Sequence, residues 1–130
     1  MCTIVLCTEW YVVMMQSDME KWQKELRKGS TKVALLSLLR CRDMYGYEII
    51  KELISITDGV FTLTESNAYP ALHMMEGEGL ITSYWREAEP GMPPRKYYGI
   101  TPLGQAFFDE MKIEWLKHND VMDRIWNYNG

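Results

Sequence analysis

This 130-residue chain has few cysteines and no recognisable catalytic set. Cys2, Cys7 and Cys41 are its only thiols, an odd number without a Cys-x-x-Cys pair. That excludes a disulfide scaffold and a structural zinc site, and fits reduced thiols in a cytoplasmic protein. The two histidines, His73 and His118, lie 45 positions apart on different predicted elements, so they do not suggest a shared metal. There is no Gly-rich phosphate loop, no His-Glu-x-x-His and no plausible Cys/His or Ser/His set. Neither an enzyme, a metal nor a cofactor is expected. The chain also lacks an apolar run of the ~20 residues a membrane span needs. A basic n-region with an Ala-x-Ala cleavage site is missing too, so no secretory signal is read. Repeats, low-complexity tracts and long linkers are absent, and the length suits one domain.

An excess of positive charge is likewise missing. The net charge of −4 argues in bulk against a nucleic-acid partner. Location matters more than the sum. Residues 20–32 carry five cations (Lys21, Lys24, Arg27, Lys28, Lys32) against Glu20 and Glu25. Residues 102–130 carry three against five carboxylates. The acidic excess therefore lies partly towards the C-terminus, which permits DNA binding without demonstrating it. Hydrophobic residues make up 47% and charged residues 25%, ordinary globular proportions. Five Trp and eight Tyr exclude a disordered chain.

Residues 1–18 are apolar and rich in β-branched and aromatic side chains, which suits a strand. Gln16-Ser17-Asp18 breaks that pattern, and Met19 opens a charged amphipathic stretch. Met19 reads as the functional start, with 1–18 an extension. The competing reading packs 1–18 on the domain as an added strand or helix.

From Met19 the pattern is that of a mainly α fold with a β-hairpin. Gly29-Ser30-Thr31 ends one helix and supplies N-cap hydroxyls for the next. Lys32–Arg40 is apolar almost all round and reads as a central buried helix. After a turn at 42–44, a helix over 45–56 repeats Tyr47, Ile50, Leu53 and Ile54 on one face. Val60 to Leu63 form an extended link. Thr64 can cap a helix to about Glu78, with Ala68, Leu72, Met75 and Gly79 inward. Pro70 lies near that helix's start and bends its first turn. Residues 80–87 and 95–100 read as strands around a Pro- and Gly-rich loop. Thr101-Pro102 starts a last helix to about Trp126. Helices followed by a hairpin make a winged helix-turn-helix, here 19–101, with an added C-terminal dimerisation helix in 102–130. Such a fold suits DNA because one helix fits the major groove while the hairpin lies over the flanking backbone.

On the helix after Thr64, the residues Ser66, Asn67, Tyr69 and His73 form an outward polar set. Asn pairs with adenine, and hydroxyls reach phosphates or bases. The plain alternative is a solvated face. In the wing, Arg95, Lys96 and Tyr97 offer phosphate-neutralising cations beside an aromatic, as Lys32 does at the start of its helix. The alternative is a hairpin with its cations outside and Tyr98 and Ile100 in the core. In the last helix Phe108, Trp115 and Met122 recur every seven residues, as do Met111, His118 and Ile125, an a/d seam. Its cover is expected from a second copy of the chain, which would pair two reading heads on a palindromic operator. His118 is either an interface histidine satisfied by a neighbour or a ligand- or pH-sensing group. Trp115 either packs or stacks a flat ligand.

Taken together, Leu26-Arg27-Lys28-Gly29-Ser30, Tyr45-Gly46-Tyr47-Glu48-Ile49-Ile50, Tyr69-Pro70-Ala71-Leu72, Glu76-Gly77-Glu78-Gly79-Leu80-Ile81 and Arg95-Lys96-Tyr97-Tyr98-Gly99-Ile100-Thr101 resemble the PadR family of bacterial transcriptional regulators. The resemblance covers about four fifths of the chain, Met19 to Trp126. It implies a winged-helix, DNA-binding repressor that dimerises through its C-terminal helix, in the subfamily where that helix is short. It also implies release from DNA by a small effector, a phenolic acid or a flat aromatic held between paired tryptophans, and Trp115 stands where that tryptophan is expected. There are departures. Glu65-Ser66-Asn67-Ala68 replaces the family's Pro-Gly-Thr-Leu, so base or phosphate contacts differ. Pro93-Pro94 stiffens the wing tip, and residues 1–18 have no counterpart in the family. The rival functions are a winged-helix protein-interaction module and a ligand-sensing module, neither binding DNA.

Overall fold

The computed structural model describes residues 2–130, with side chains from residue 8 onward. The thiols of Cys2 and Cys7 lie outside the described side chains; Cys41 is a free, exposed thiol. The chain divides into two units, Met1–Thr31 and Lys32–Gly130.

The first unit is one helix, α1 (Cys2–Lys28). It runs through both the apolar stretch and the charged stretch, so the strand suggested for 1–18 is corrected to a helix. An isolated strand would leave its backbone groups without protein partners, whereas a helix satisfies them locally. Val and Ile cost a helix only about half a kcal/mol each, and extending an existing helix is far easier than nucleating one. Met14 to Lys28, rich in Met, Glu, Lys and Gln, supplies that helix.

The second unit holds the core. Its elements are α2 (Thr31–Cys41), β1 (Met44–Tyr45), α3 (Gly46–Thr57), α4 (Glu65–Gly77), β2 (Ile81–Arg86), β3 (Arg95–Ile100) and α5 (Pro102–Trp126). Leu35, Leu36 and Leu39 of α2 meet Ile49, Leu53, Leu72, Met75 and Ile81 in a fully apolar centre, and apart from Tyr98 no side chain carrying a polar group is buried among the described residues. The sheet is antiparallel with β3 in the middle, in the order β1-β3-β2. This is the mainly helical winged fold expected from the element order.

Three local expectations change. The turn at 42–44 hides strand β1, whose Met44 pairs with Tyr98 and Tyr45 with Tyr97. Two residues are too few for a period-2 pattern to show. The inward stripe of α3 is Gly46, Ile49, Ile50 and Leu53, leaving Tyr47 and Ile54 exposed. That stripe is the i, i+3, i+4, i+7 set, so Tyr47 and Ile54 fall off its edge. Gly79 is exposed rather than inward, and its φ of 80° closes the turn after α4. Asp58 takes a left-handed conformation at the end of α3 (φ 51°), and the Thr57 hydroxyl accepts from Phe61 N at 3.0 Å, fixing the extended link.

The junction of wing and α5 is tight. Thr101 Oγ1 accepts from Gly104 N at 3.0 Å, capping α5 with Pro102 at its first position. The same hydroxyl lies 2.6 Å from the Gly79 carbonyl oxygen. Any side chain at Gly104 would run into the Leu80 carbonyl.

Candidate nucleic-acid interface

Helix α4 presents its polar face because Ala68, Leu72 and Met75 anchor the opposite one. Ser66, Asn67, Tyr69, Pro70 and His73 are all exposed, as the sequence predicts. Thr64 stands at the N-cap position with extended backbone, but its hydroxyl does not cap. It is 2.9 Å from Ser66 Oγ instead, so both hydroxyls sit together on the surface at the head of the helix. Pro70 has no N–H to give the Ser66 carbonyl, so that helical hydrogen bond is missing. Tyr69 is less free than its neighbours. A Cβ at Gly46 would lie 2.5 Å from Tyr69 Cε1, so the bare backbone at the start of α3 is the seat of this ring. Burial, and then Glu65, push the Tyr69 hydroxyl pKa up.

Strand alternation sorts the wing into two faces. Lys96, Tyr98 and Ile100 share the inward face with Ile81 and Ser83 across the ladder, while Trp85, on the same face towards the wing tip, is exposed. Tyr98 is buried, as expected. Lys96 Nζ sits 5.6 Å over the Tyr98 ring and 4.0 Å from Glu76, which also accepts from Ser83 Oγ at 2.6 Å. Arg95 and Tyr97 belong to the outer face, where Tyr97 stacks on Tyr84 at 5.9 Å and meets the edge of Tyr45 at 5.5 Å. Arg95 lies 4.6 Å over Tyr45, and Arg86 lies 5.5 Å over Tyr97. Sequence reading missed Tyr45, Tyr84 and Arg86. Pairing the two strands in register would have put Tyr84 and Arg86 opposite Tyr97 and Arg95.

Lys32 is not brought to this group. It pairs with Glu78 at 3.0 Å and lies 5.6 Å over the Phe107 ring. Glu78 follows the last turn of α4, about 16 Å along the helix from Asn67 at 1.5 Å per residue.

The proposed seam of α5 divides in the structure. Phe108 is a core residue of its own chain, with Arg40 5.0 Å over its ring, and Met111 packs against that core. Beyond them the helix has little cover: Met122 is half-buried, while Trp115, His118 and Ile125 are exposed. Among the described residues no group of three or more His, Cys, Asp or Glu is placed to hold a metal ion. No helix among them is long and apolar enough to cross a membrane.

Comparison with known proteins decides the family. The transcriptional regulator PadR-like family matches residues 35–110, more than half of the chain. The chain belongs to the PadR family. An uncharacterised protein of Lysinibacillus sphaericus is 31% identical over 101 residues, 78% of this chain and 92% of that one. The transcriptional regulator YqjI of Escherichia coli is 31% identical over 88 residues, but the match spans only 40% of its length. Among solved structures, a PadR family transcriptional regulator from Eggerthella lenta superposes with a TM-score of 0.80 at 28% identity, covering 90% of this chain and 99% of that one. A transcriptional regulator from Clostridium thermocellum gives 0.71 at 33% identity, covering 77% and 96%. This PadR chain is thus a transcription regulator and not an enzyme. Its family match spans α4, the wing and the first turns of α5.

Proposed function

We propose that this PadR protein is a cytoplasmic, homodimeric, DNA-binding repressor released by a small aromatic effector. The observation that carries the DNA reading is the exposed polar face of α4, with Ser66, Asn67, Tyr69 and His73 outward and, among the described residues, no ion pair or hydrogen bond taking up the side chain of Asn67 or His73. In the complex this face lies in the major groove, with Asn67 on a base edge and the hydroxyls of Thr64, Ser66 and Tyr69 on phosphates or bases. The wing lies on the flanking backbone, with Arg95 and Tyr97 on one face of the hairpin and Lys96 on the other. Lys32, at the other end of α4, adds at most a peripheral phosphate contact.

The exposed apolar side of α5 supports a second copy of the chain along Trp115, His118, Met122 and Ile125. A two-fold pair of reading heads calls for a palindromic operator. Trp115, 37% exposed, offers a ring face for a flat aromatic in that cleft. The test is a gel-shift series on duplex from upstream of the gene, at several salt concentrations and with planar aromatics added. Binding that falls with salt and is relieved by an aromatic supports the reading. No shift at low salt overturns it. The acidic net charge and Glu65 at the head of α4 favour a protein-interaction module instead. That reading predicts a captured protein partner together with absent DNA binding.

A further inference from the structure

On the outer face of the wing, Arg86 and Arg95 are directly opposite each other across β2 and β3. Like charges facing across a ladder repel and cost stability. Elsewhere in the second unit Lys32, Arg42, Lys96, Lys117 and Arg124 each lie within ion-pair reach of a carboxylate. Among the described residues Arg86 and Arg95 have no such partner, nor do Arg40, Lys51 and Lys112, but only Arg86 and Arg95 face each other across a ladder. Each is laid on a tyrosine ring instead, Arg86 on Tyr97 and Arg95 on Tyr45. A ring face holds a guanidinium in place while leaving its N–H groups unspent. The tyrosines are themselves fixed. Tyr84, stacked on Tyr97, donates its hydroxyl hydrogen to Asp43 Oδ2 at 2.6 Å, reaching across β3. The strand between them carries Gly99, where a Cβ would lie 2.6 Å from Asp43 Oδ1. The missing side chain at Gly99 is what lets this clamp close.

From this geometry we infer that the Arg86–Arg95 pair is a phosphodiester-binding subsite, held open by the Tyr45–Tyr97–Tyr84 layer, with Tyr84 and Asp43 as its positioning residues. The inference rests on the DNA-binding reading above and adds to it the residues that grip the backbone. Two cations side by side, already stripped of competing carboxylates, gain most from an anion that bridges them. Lys96, by contrast, already has Glu76 within reach.

The experiment measures duplex affinity against salt for the full chain, using both the upstream duplex and one of scrambled sequence. Arg86→Gln and Arg95→Gln each lower the magnitude of the log–log salt slope by about 0.9 and weaken binding about fivefold at 0.15 M salt, alike on both duplexes. Each removes a like-charge contact and a cation–ring contact together, so the melting temperature changes little. Tyr84→Phe keeps the stack but loses the clamp. It weakens binding in the parent chain and has no further effect when both arginines are already Gln. Salt slopes unchanged in both arginine variants overturn the subsite. A Tyr84→Phe loss that persists undiminished in the double variant overturns the positioning role. If the unaltered chain binds neither duplex at low salt, it is the DNA-binding reading itself that fails.

Discussion

Tyr98 shows what a single buried hydroxyl does to the pH response. Its pKa is raised above 10.0 by burial first, then by Glu76 and Tyr69. A tyrosine harder to ionise in the folded chain keeps its proton while the unfolded chain releases one. The stability it lends is complete below pH 10 and is lost as pH rises through the higher folded value. Tyr69 shifts the same way through its own burial, and Tyr84 through its bond to Asp43. Urea midpoints are therefore expected to be flat from pH 7 to 9 and to fall above pH 10. Tyr98→Phe should make that fall shallower; an equally steep fall would remove Tyr98 as a cause. Gly104 makes the opposite kind of demand, on space. Gly104→Ala drives a methyl into the Leu80 carbonyl, and backbone on both sides leaves little room to yield. The expected cost is about 3 kcal/mol, measured by chemical denaturation.

At the scale of elements, the proposed DNA reading divides the work of binding between α4 and the wing. Asn67→Ala is expected to change which sequences are preferred, since an amide reads base edges. In that reading a wing cation such as Lys96 meets only phosphate, so Lys96→Ala should weaken every duplex alike, modestly because Glu76 lies close by. Competition against a panel of duplexes separates the two, and identical profiles for both variants would contradict the division. Helix α1 poses a different question. Among the described residues, every buried apolar residue of the core lies between Leu35 and Phe108. A chain starting at Met19 should therefore melt within about a degree of the full chain, consistent with substitutions outside the core costing little. A drop of several degrees would give residues 1–18 a structural role.

At the scale of the whole molecule, α5 is an unfinished surface, as is α1 with Trp10, Tyr11, Val13 and Trp22 exposed. Trp115, Leu116, Val121, Ile125 and Trp126 are exposed along one helix, a concentration of apolar side chains that calls for a cover. A second copy is the proposed cover. Ile125→Glu is expected to shift sedimentation from dimer to monomer at micromolar concentration. It should weaken operator binding through loss of the paired head, while the melting of the monomer fold changes little. A dimer that survives the substitution would place the interface elsewhere.

Composition, periodicity and turn chemistry were enough to order the helices and the hairpin, because each leaves a local mark. Examples are Thr101-Pro102 at a helix start, Ala68-Leu72-Met75 on one face, and the Pro- and Gly-rich loop between two strands. The outward set on α4 followed from the same periodicity. Other features needed tertiary structure, because they depend on what lies opposite. Strand β1 is two residues long and exists only because β3 offers it a ladder. Phe108 fits a heptad seam by spacing, yet α2 and its neighbours bury it in the chain's own core. The same holds for the outer wing face. Arg86, Tyr84 and Asp43 are far from Tyr45 in sequence or hidden in a turn, and only strand register lays the two arginines side by side on tyrosine. Local sequence sets which elements form, whereas the pairing of charges and rings is a property of the contacts between them.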